Sequence, residues 1–365
     1  MEYLVSRFRS STRTCKPEGG TTKWPSYVVS MPIETIRRLV KGQNLTLVKR
    51  FARIFADVCE RVALKLKFYK FGNSFIGRAL VDTVYYPADF YKIITQYRST
   101  FGRFPRLIRP TTFNEWIQRS KLVRRRMRYQ CFADKLLVRD FVKEKIGEDV
   151  LTRLFWTGSD LSRAKDLPLP RKFVIKSNNG SGKNLMVRDA SLFDWKKAIP
   201  IAKAWMASDH STYFAEWQYR WIQPRLFVEE FLEDPYGNIP TDYKFFCFDG
   251  RVQIVQVDLD RFGKHTRALL NRKFELLPFH FQYPGPLEKI SRTENFDHMV
   301  KIAEALSVGE RFIRVDLYDV GRPIFGELTL YPEAGLGKFE PPEWDERLFR
   351  LLNVHGNNRP PEAIS

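Results

Sequence analysis

The sequence is poor in the residues from which several kinds of site are built. Its four cysteines, Cys15, Cys59, Cys131 and Cys247, are scattered and form no CxxC pair. That argues against a disulfide framework and for thiols in a reducing compartment. The five histidines show neither HxxxH nor HxH spacing, which disfavours zinc. A GxSxG elbow is lacking, so a Ser-His-Asp hydrolase is disfavoured too. No stretch approaches the roughly 18 uninterrupted apolar residues of a membrane-spanning helix. The opening MEYLVSRFRSSTRTCKPEGG carries charge where a signal peptide needs an apolar run, so a cytoplasmic protein is expected. Zinc-finger spacing, helix-turn-helix punctuation and an aromatic RNP-type strand are all missing, and nucleic acid is not the expected partner.

Cationic charge is abundant. Lys and Arg number 61 against 42 Asp and Glu, a formal net charge of +19 over 365 residues. Such a surplus attracts polyanions, anionic polysaccharides or acidic membrane surfaces. With 44% hydrophobic residues the chain can bury a sizeable core, and its length suggests two or more lobes. Residues 1–30 are rich in Ser, Thr, Gly, Pro and Arg without periodicity and read as a flexible tail; 353–365 read as another. Residues 31–130 read as mainly helical. From Leu45 to Phe68, Leu47, Phe51, Ile54, Phe55, Val58, Val62 and Leu66 recur at helical spacing opposite a basic side, an amphipathic helix suited either to its own domain or to an anionic membrane. A second helix is expected over Ala88–Tyr97 and a third after Lys135.

After Pro170 the pattern changes to short strands, over Lys172–Lys176, Leu185–Arg188, Leu226–Glu230, Tyr243–Phe248 and Val252–Asp258, with helices over Trp195–Met206 and Asp297–Leu306. The plan is α+β. The most informative stretch is Arg311–Tyr331, which alternates as a hairpin: Ile313, Val315, Leu317, Ile324, Leu328 and Leu330 on one face, Arg314, Asp316, Tyr318, Phe325, Glu327 and Thr329 on the other. A two-residue turn at Val320-Gly321 pairs 316 with 325, and a four-residue loop pairs 316 with 327. Either places the carboxylates of Asp316 and Glu327 on one face, about 5 to 8 Å apart at Cβ. Mg²⁺ takes hard oxygen ligands, one or two carboxylates plus phosphates, so this pair with the Thr329 hydroxyl suits magnesium.

Four more stretches carry polar chemistry. Lys176 ends a strand before Gly180, Ser181, Gly182 and Lys183, a small loop whose N–H groups can approach phosphates or that can simply close a hairpin; the Walker A spacing is absent. Glu229 and Glu230 lie near the end of an apolar strand, followed by Leu232, and two such acids meet a polar partner or a surface edge. Asp242 and Lys244 share one face of a strand. Asp258, Asp260, Arg261, Lys264, His265 and Arg267 form a mixed-charge cluster, in which Asp258-Leu259-Asp260 also matches the D-x-D by which glycosyltransferases hold a metal and a nucleotide sugar.

Read in order, Asp134-Lys135, FVIK with its glycine loop, VEEFL, DYK (Asp242–Lys244), RVD (Arg314–Asp316) and GELT (Gly326–Thr329) resemble the ATP-grasp superfamily. TTFNEW (Thr111–Trp116), FADKLLVRDFVKEKIG and DYKFFCFDG are similar to its TupA-like branch, over about Arg103 to Leu352. The resemblance implies an ATP-grasp fold, two α+β subdomains clasping ATP after a helical N-terminal region, within 131–352. About 173–232 would form the ATP lid and 240–352 the metal-bearing part. It further implies Lys135 and Lys176 on the phosphates, Gly180–Gly182 as a flap, and Glu229, Glu230 and Leu232 at the adenine. Asp316 and Glu327 would hold Mg²⁺. The family's usual E-x-N is here Glu327-Leu328-Thr329, so a hydroxyl stands where an amide is usual. Lys244 and Arg267 would hold the carboxylate or acyl phosphate, with Arg314 supporting. The implied activity is ATP-dependent carboxylate-amine ligation on an acidic cell-surface polysaccharide or its lipid-linked precursor, joining an amine or amino acid.

Overall fold

The computed structural model describes residues 45–68, 75–259, 265–286 and 290–352. The expected tails, and Asp260, Arg261 and Lys264, lie outside them. Two long helices come first, α1 (Leu45–Phe68) and α2 (Phe75–Phe101), and α1 packs along α2. The second is longer than the Ala88–Tyr97 expected, running three turns further back through Pro87. Helix α3 (Phe113–Val123) follows, its N-terminus capped by the Thr112 hydroxyl, which accepts the Glu115 N–H. The TTFNEW stretch therefore does structural work. The Asn114 backbone and side-chain N–H groups donate to the Asp345 carboxylate at 2.9 and 3.0 Å, fastening α3 to the far end of the chain.

The helix expected after Lys135 forms, but it begins only at Val138. Asp134 Oδ1 accepts the N–H groups of Leu136 and Leu137, making a tight turn that separates α4 (Arg128–Ala133) from α5 (Val138–Lys145) and leaves Lys135 at the break.

Two antiparallel sheets carry the rest. The smaller contains β1 (Leu154–Gly158), β2 (Phe173–Ser177), β3 (Asn184–Val187) and β4 (Leu226–Glu230) in the order β1-β4-β2-β3. Helix α6 (Trp195–Ala207) presents Ala198 and Ala202 to Phe173, Ile175 and Val228. The larger contains β5 (Asp242–Phe248), β6 (Arg251–Leu259), β7 (Thr266–Leu270), β9 (Phe312–Asp319) and β10 (Pro323–Thr329), in the order β10-β9-β5-β6-β7. A short pair, β8 (His280–Phe281) with β11 (Phe339–Glu340), and the last helix α8 (Glu343–Leu351) complete it. Strands β1, β7, β8 and β11 are too short to be foreseen, and helix α8 was missed although Trp344, Leu348 and Leu351 recur at helical spacing.

Period-2 alternation builds the large sheet with two unlike faces. Phe245, Val255, Val315 and Leu317 point to one side and are covered by α7 (Phe296–Ser307), whose Phe296 ring lies 6.1 Å from that of Phe245. On the other side Phe246, Phe248 and Phe312 meet Phe113 and Trp116 of α3, and beyond this aromatic patch comes a band of charged side chains.

Neither expected hairpin turn forms. The loop is three residues, 320–322, closing Asp319 against Pro323, and a bulge at Gly326 then slides the register so that Glu327 faces Asp316. A Cβ at Gly326 would come within 3.1 Å of the Asp316 carbonyl oxygen, which is why the bulge takes glycine. The bulge also reverses two positions. Phe325, expected on the chemical face, joins the core beside Leu317, and Ile324 joins Tyr318 on the other side.

Candidate active site

The charged band is built one strand at a time. Glu327 and Thr329 come from β10, Arg314 and Asp316 from β9, Asp242 and Lys244 from β5, Gln256 and Asp258 from β6, and Arg267 from β7. Cross-strand partnership sets them in a row: Glu327 opposite Asp316, Asp316 opposite Lys244, Lys244 opposite Gln256, Asp258 opposite Arg267. Burial without partners would make such a row untenable, and every member finds one.

Arg314 forks onto Asp316 with two bonds of 2.7 Å and donates to the Thr329 hydroxyl at 3.0 Å. That hydroxyl lies 3.3 Å from Glu327 Oε1. Lys244 contacts Asp242 directly and stands 3.4 Å from Asp316 and 3.9 Å from Asp258. It is buried among three carboxylates and is not an outward surface pair. Arg267 bonds Asp258 at 2.7 Å and Glu333 at 3.2 Å, and His265 approaches Asp258 at 3.3 Å. With Asp258 held by Arg267 and by Gln256, the D-x-D reading finds its first acid already engaged; Asp260 lies outside the described residues.

The second side of the site comes from the α4–α5 break and the glycine loop. Lys135 Nζ donates to the Gly180 carbonyl at 2.6 Å and lies 3.6 Å from Glu327 Oε2. One ammonium therefore touches both the loop and the acid pair. Its backbone is fixed too: Lys135 N–H donates to the Asn178 carbonyl, and the Asn178 amide donates to Asp134 and accepts from the Arg225 N–H. Asn178, Asn179 and Gly180 are buried, and Ser181 and Gly182, at the tip of the loop, are exposed. The His210 ring packs so closely on Gly180 that a Cβ there would fall 2.8 Å from it.

Lys176 pairs with Glu229 at 2.5 Å, and Glu229 accepts the Thr152 hydroxyl at 2.6 Å. Glu230, next along the strand, points the other way and accepts the Arg153 N–H. It lines a polar cavity of about 740 Å³ together with Arg139, Lys143 and Arg322. Leu232 follows in the half-buried segment after β4.

Charge placement tunes the acids differently. For Glu327, burial pushes the carboxyl up, but Lys135, Arg314, Lys244 and Lys176 outweigh it and bring it down to about 2. Asp316 is raised above the usual range, because burial and the neighbouring Glu327 outweigh Arg314 and Lys244. Two carboxylates facing each other, with a hydroxyl beside them, are a hard-oxygen donor set of the kind Mg²⁺ takes. Among the described residues no three His, Cys, Asp or Glu side chains converge as a metal cage. Mg²⁺ uses one or two carboxylates and completes its shell with phosphate and water, so the set fits that ion.

Sequence reasoning missed Asn178, His210 and Glu216. Glu216 is buried, and its carboxylate lies 3.6 Å from His210 Nε2. Burial pushes Glu216 up to about 7 and His210 down to about 4, the nearby Lys183 and Lys135 adding to the latter. The fold thus binds the Glu216 proton more tightly than the unfolded chain does, and this group's contribution to stability falls as pH rises from 4.5 through about 7. His210, whose proton the fold binds less tightly, works in the opposite direction over about pH 4 to 6.5, so Glu216→Gln should leave thermal stability rising more steeply with pH across that window; an unchanged slope would contradict the assignment.

A family model described as TupA-like ATPgrasp matches residues 115–352, from α3 through the last described helix. The chain belongs to the TupA-like ATP-grasp family. It is an ATP-grasp protein, and its α+β architecture is the ATP-grasp fold preceded by N-terminal helices. Among solved structures it is similar to the ATP-grasp ligase PsnB complexed with minimal precursor, at 12% identity and a TM-score of 0.35, over 63% of this chain and 62% of that one. It is also similar to D-alanine–D-alanine ligase from Bacillus anthracis complexed with ATP, at 13% identity and a TM-score of 0.32, over 62% and 68% of the two chains. The chain thus spans less than two thirds of the PsnB structure. No curated protein matches the sequence.

Proposed function

We propose that this TupA-like ATP-grasp protein is an ATP-dependent carboxylate-amine ligase. The observation that carries the reading is Lys135, whose ammonium meets the glycine-loop carbonyl on one side and Glu327, opposite Asp316, on the other. In this reading Lys135 and Lys176 bind the phosphates and Gly180–Gly182 closes over them. Glu229 and the main chain from Glu230 to Leu232 flank the adenine. The four-stranded sheet, β1 included, acts as the lid, and residues 240–352 carry the metal ligands.

Asp316 and Glu327 hold Mg²⁺, with Thr329 adding its hydroxyl. The ion, when bound, neutralises charge spread over the transferring phosphoryl oxygens. A substrate carboxylate oxygen attacks the γ-phosphorus and ADP leaves. An amine then attacks the acyl carbon of the resulting acyl phosphate, and inorganic phosphate departs as the C–N bond forms. Arg314 holds Asp316 in place, and Arg267 and Lys244 present cations to the carboxylate and acyl phosphate. Because Asp242, Asp258 and Asp316 surround Lys244, that lysine serves an anion only after part of this shell has turned to metal or substrate.

The acceptor in this reading is an acidic cell-surface polysaccharide or its lipid-linked precursor, the donor an amine or amino acid, and the setting cytoplasmic; the +19 charge favours an anionic substrate. No helix among the described residues is long and apolar enough to cross a membrane. Thermal melting separates this from the nucleotide-sugar reading. Mg-ATP should raise the melting temperature by several degrees, and UDP-sugars with Mn²⁺ should leave it unchanged. The reverse pattern would contradict the proposal. ADP release over a panel of uronic acids and amino acids then identifies the substrates.

A further inference from the structure

Helix α1 packs on α2 by only one of its sides. Ala56 and Ala63 are buried there, and Glu60 pairs with Lys92 at 2.7 Å. Away from that seam, Ile54 is 51% exposed, Phe55 57%, Val58 51% and Val62 43%. Positions 54, 58 and 62 recur at every turn and Phe55 widens the row, so the four side chains form one apolar stripe about 12 Å long. Four large apolar groups in register on one helix are a patch, unlike scattered surface leucines.

The charges beside the stripe have one dominant sign. Arg50, Arg53, Arg61 and Lys65 are exposed on this helix against a single exposed acid, Asp57. At 100° per residue, Arg50, Arg61 and Lys65 fall along the Ile54 edge of the stripe. We propose that α1 docks the protein onto an anionic lipid surface, with Ile54, Phe55, Val58 and Val62 entering the headgroup-acyl boundary and the flanking cations meeting lipid phosphates. This inference is independent of the ligase chemistry.

Charge complementarity selects lipid over the other occupants. A second copy packing through the same stripe would set cations against cations. Residues 1–44 carry eight Lys and Arg against three Glu, so that segment shares the sign of the flank. A surface of acidic headgroups over hydrocarbon satisfies both halves of the pattern.

The test is co-sedimentation of the full chain with vesicles of phosphatidylcholine alone or mixed with phosphatidylglycerol. Binding to the anionic vesicles should be at least about 10-fold tighter and should weaken with salt. A Phe55→Ser, Val58→Ser double variant should lose about 10-fold or more in binding to anionic vesicles. Both positions are exposed, and an unchanged melting temperature confirms that the variant is folded. An Arg50→Gln, Arg61→Gln, Lys65→Gln variant should lose the preference for anionic lipid. The proposal is overturned if the chain ignores both vesicle types or if the serine variant binds as the parent does, which would mean diffuse adsorption of a basic protein. It is overturned equally if the parent is a solution dimer that the serine variant dissociates.

Discussion

Glu327→Ala should lower ATP-dependent ADP release by about 10³-fold, equivalent to roughly 4 kcal/mol of transition-state stabilisation. The carboxylate faces Asp316 across β9 and β10 and touches Lys135, and four cations keep it ionised down to about pH 2. Its removal leaves Asp316 as the only carboxylate of the pair, and Lys135 loses its contact with the large sheet. The fold should tolerate the change, because the side chain is 36% exposed and its ion pairs are partly screened, for a stability cost of about 1 kcal/mol. A variant that turns over at the parental rate would show that the pair does not hold the metal.

Arg314→Ala should be the most destabilising substitution in the band, by about 3 kcal/mol or more in chemical denaturation. Arg314 and Asp316 are both buried and joined by two 2.7 Å bonds, and deleting the guanidinium leaves a carboxylate out of water with only Lys244, at 3.4 Å, to answer it. The effect on activity should be large as well, since Arg314 also donates to Thr329. Arg314→Lys should recover only part of either loss, because a single ammonium cannot reproduce the planar fork. A cost below about 1 kcal/mol for the alanine variant would contradict this account.

How much of this was legible in the sequence differs from element to element. Strong alternation through Arg311–Tyr331 placed Asp316 and Glu327 on one face, and the structure sets them directly opposite. The route was not legible, because a three-residue loop and a bulge at Gly326 give the same pairing as a four-residue loop in a regular hairpin. Period-2 reading cannot see a bulge, so it misassigned Ile324 and Phe325 while getting Glu327 right. Lys135 was visible at the start of a helical pattern, but the Asp134 turn that isolates it depends on a side-chain to backbone bond. His210 and Glu216 carry no local pattern. They come from a segment of irregular 3₁₀ turns, and only the tertiary fold brings His210 onto Gly180 and Glu216 onto His210. Nothing local marks Asn178, because it is held by bonds to Asp134, Gln223 and Arg225, residues distant in the sequence.

If Asp316, Glu327 and Lys135 together hold Mg-ATP, a Mg²⁺ titration of thermal stability at fixed ATP will show it. The parent should gain several degrees as Mg²⁺ rises, while Glu327→Ala, folded and starting from a similar melting temperature, should gain almost nothing. Equal gains in the two proteins, or no gain in either, would contradict it.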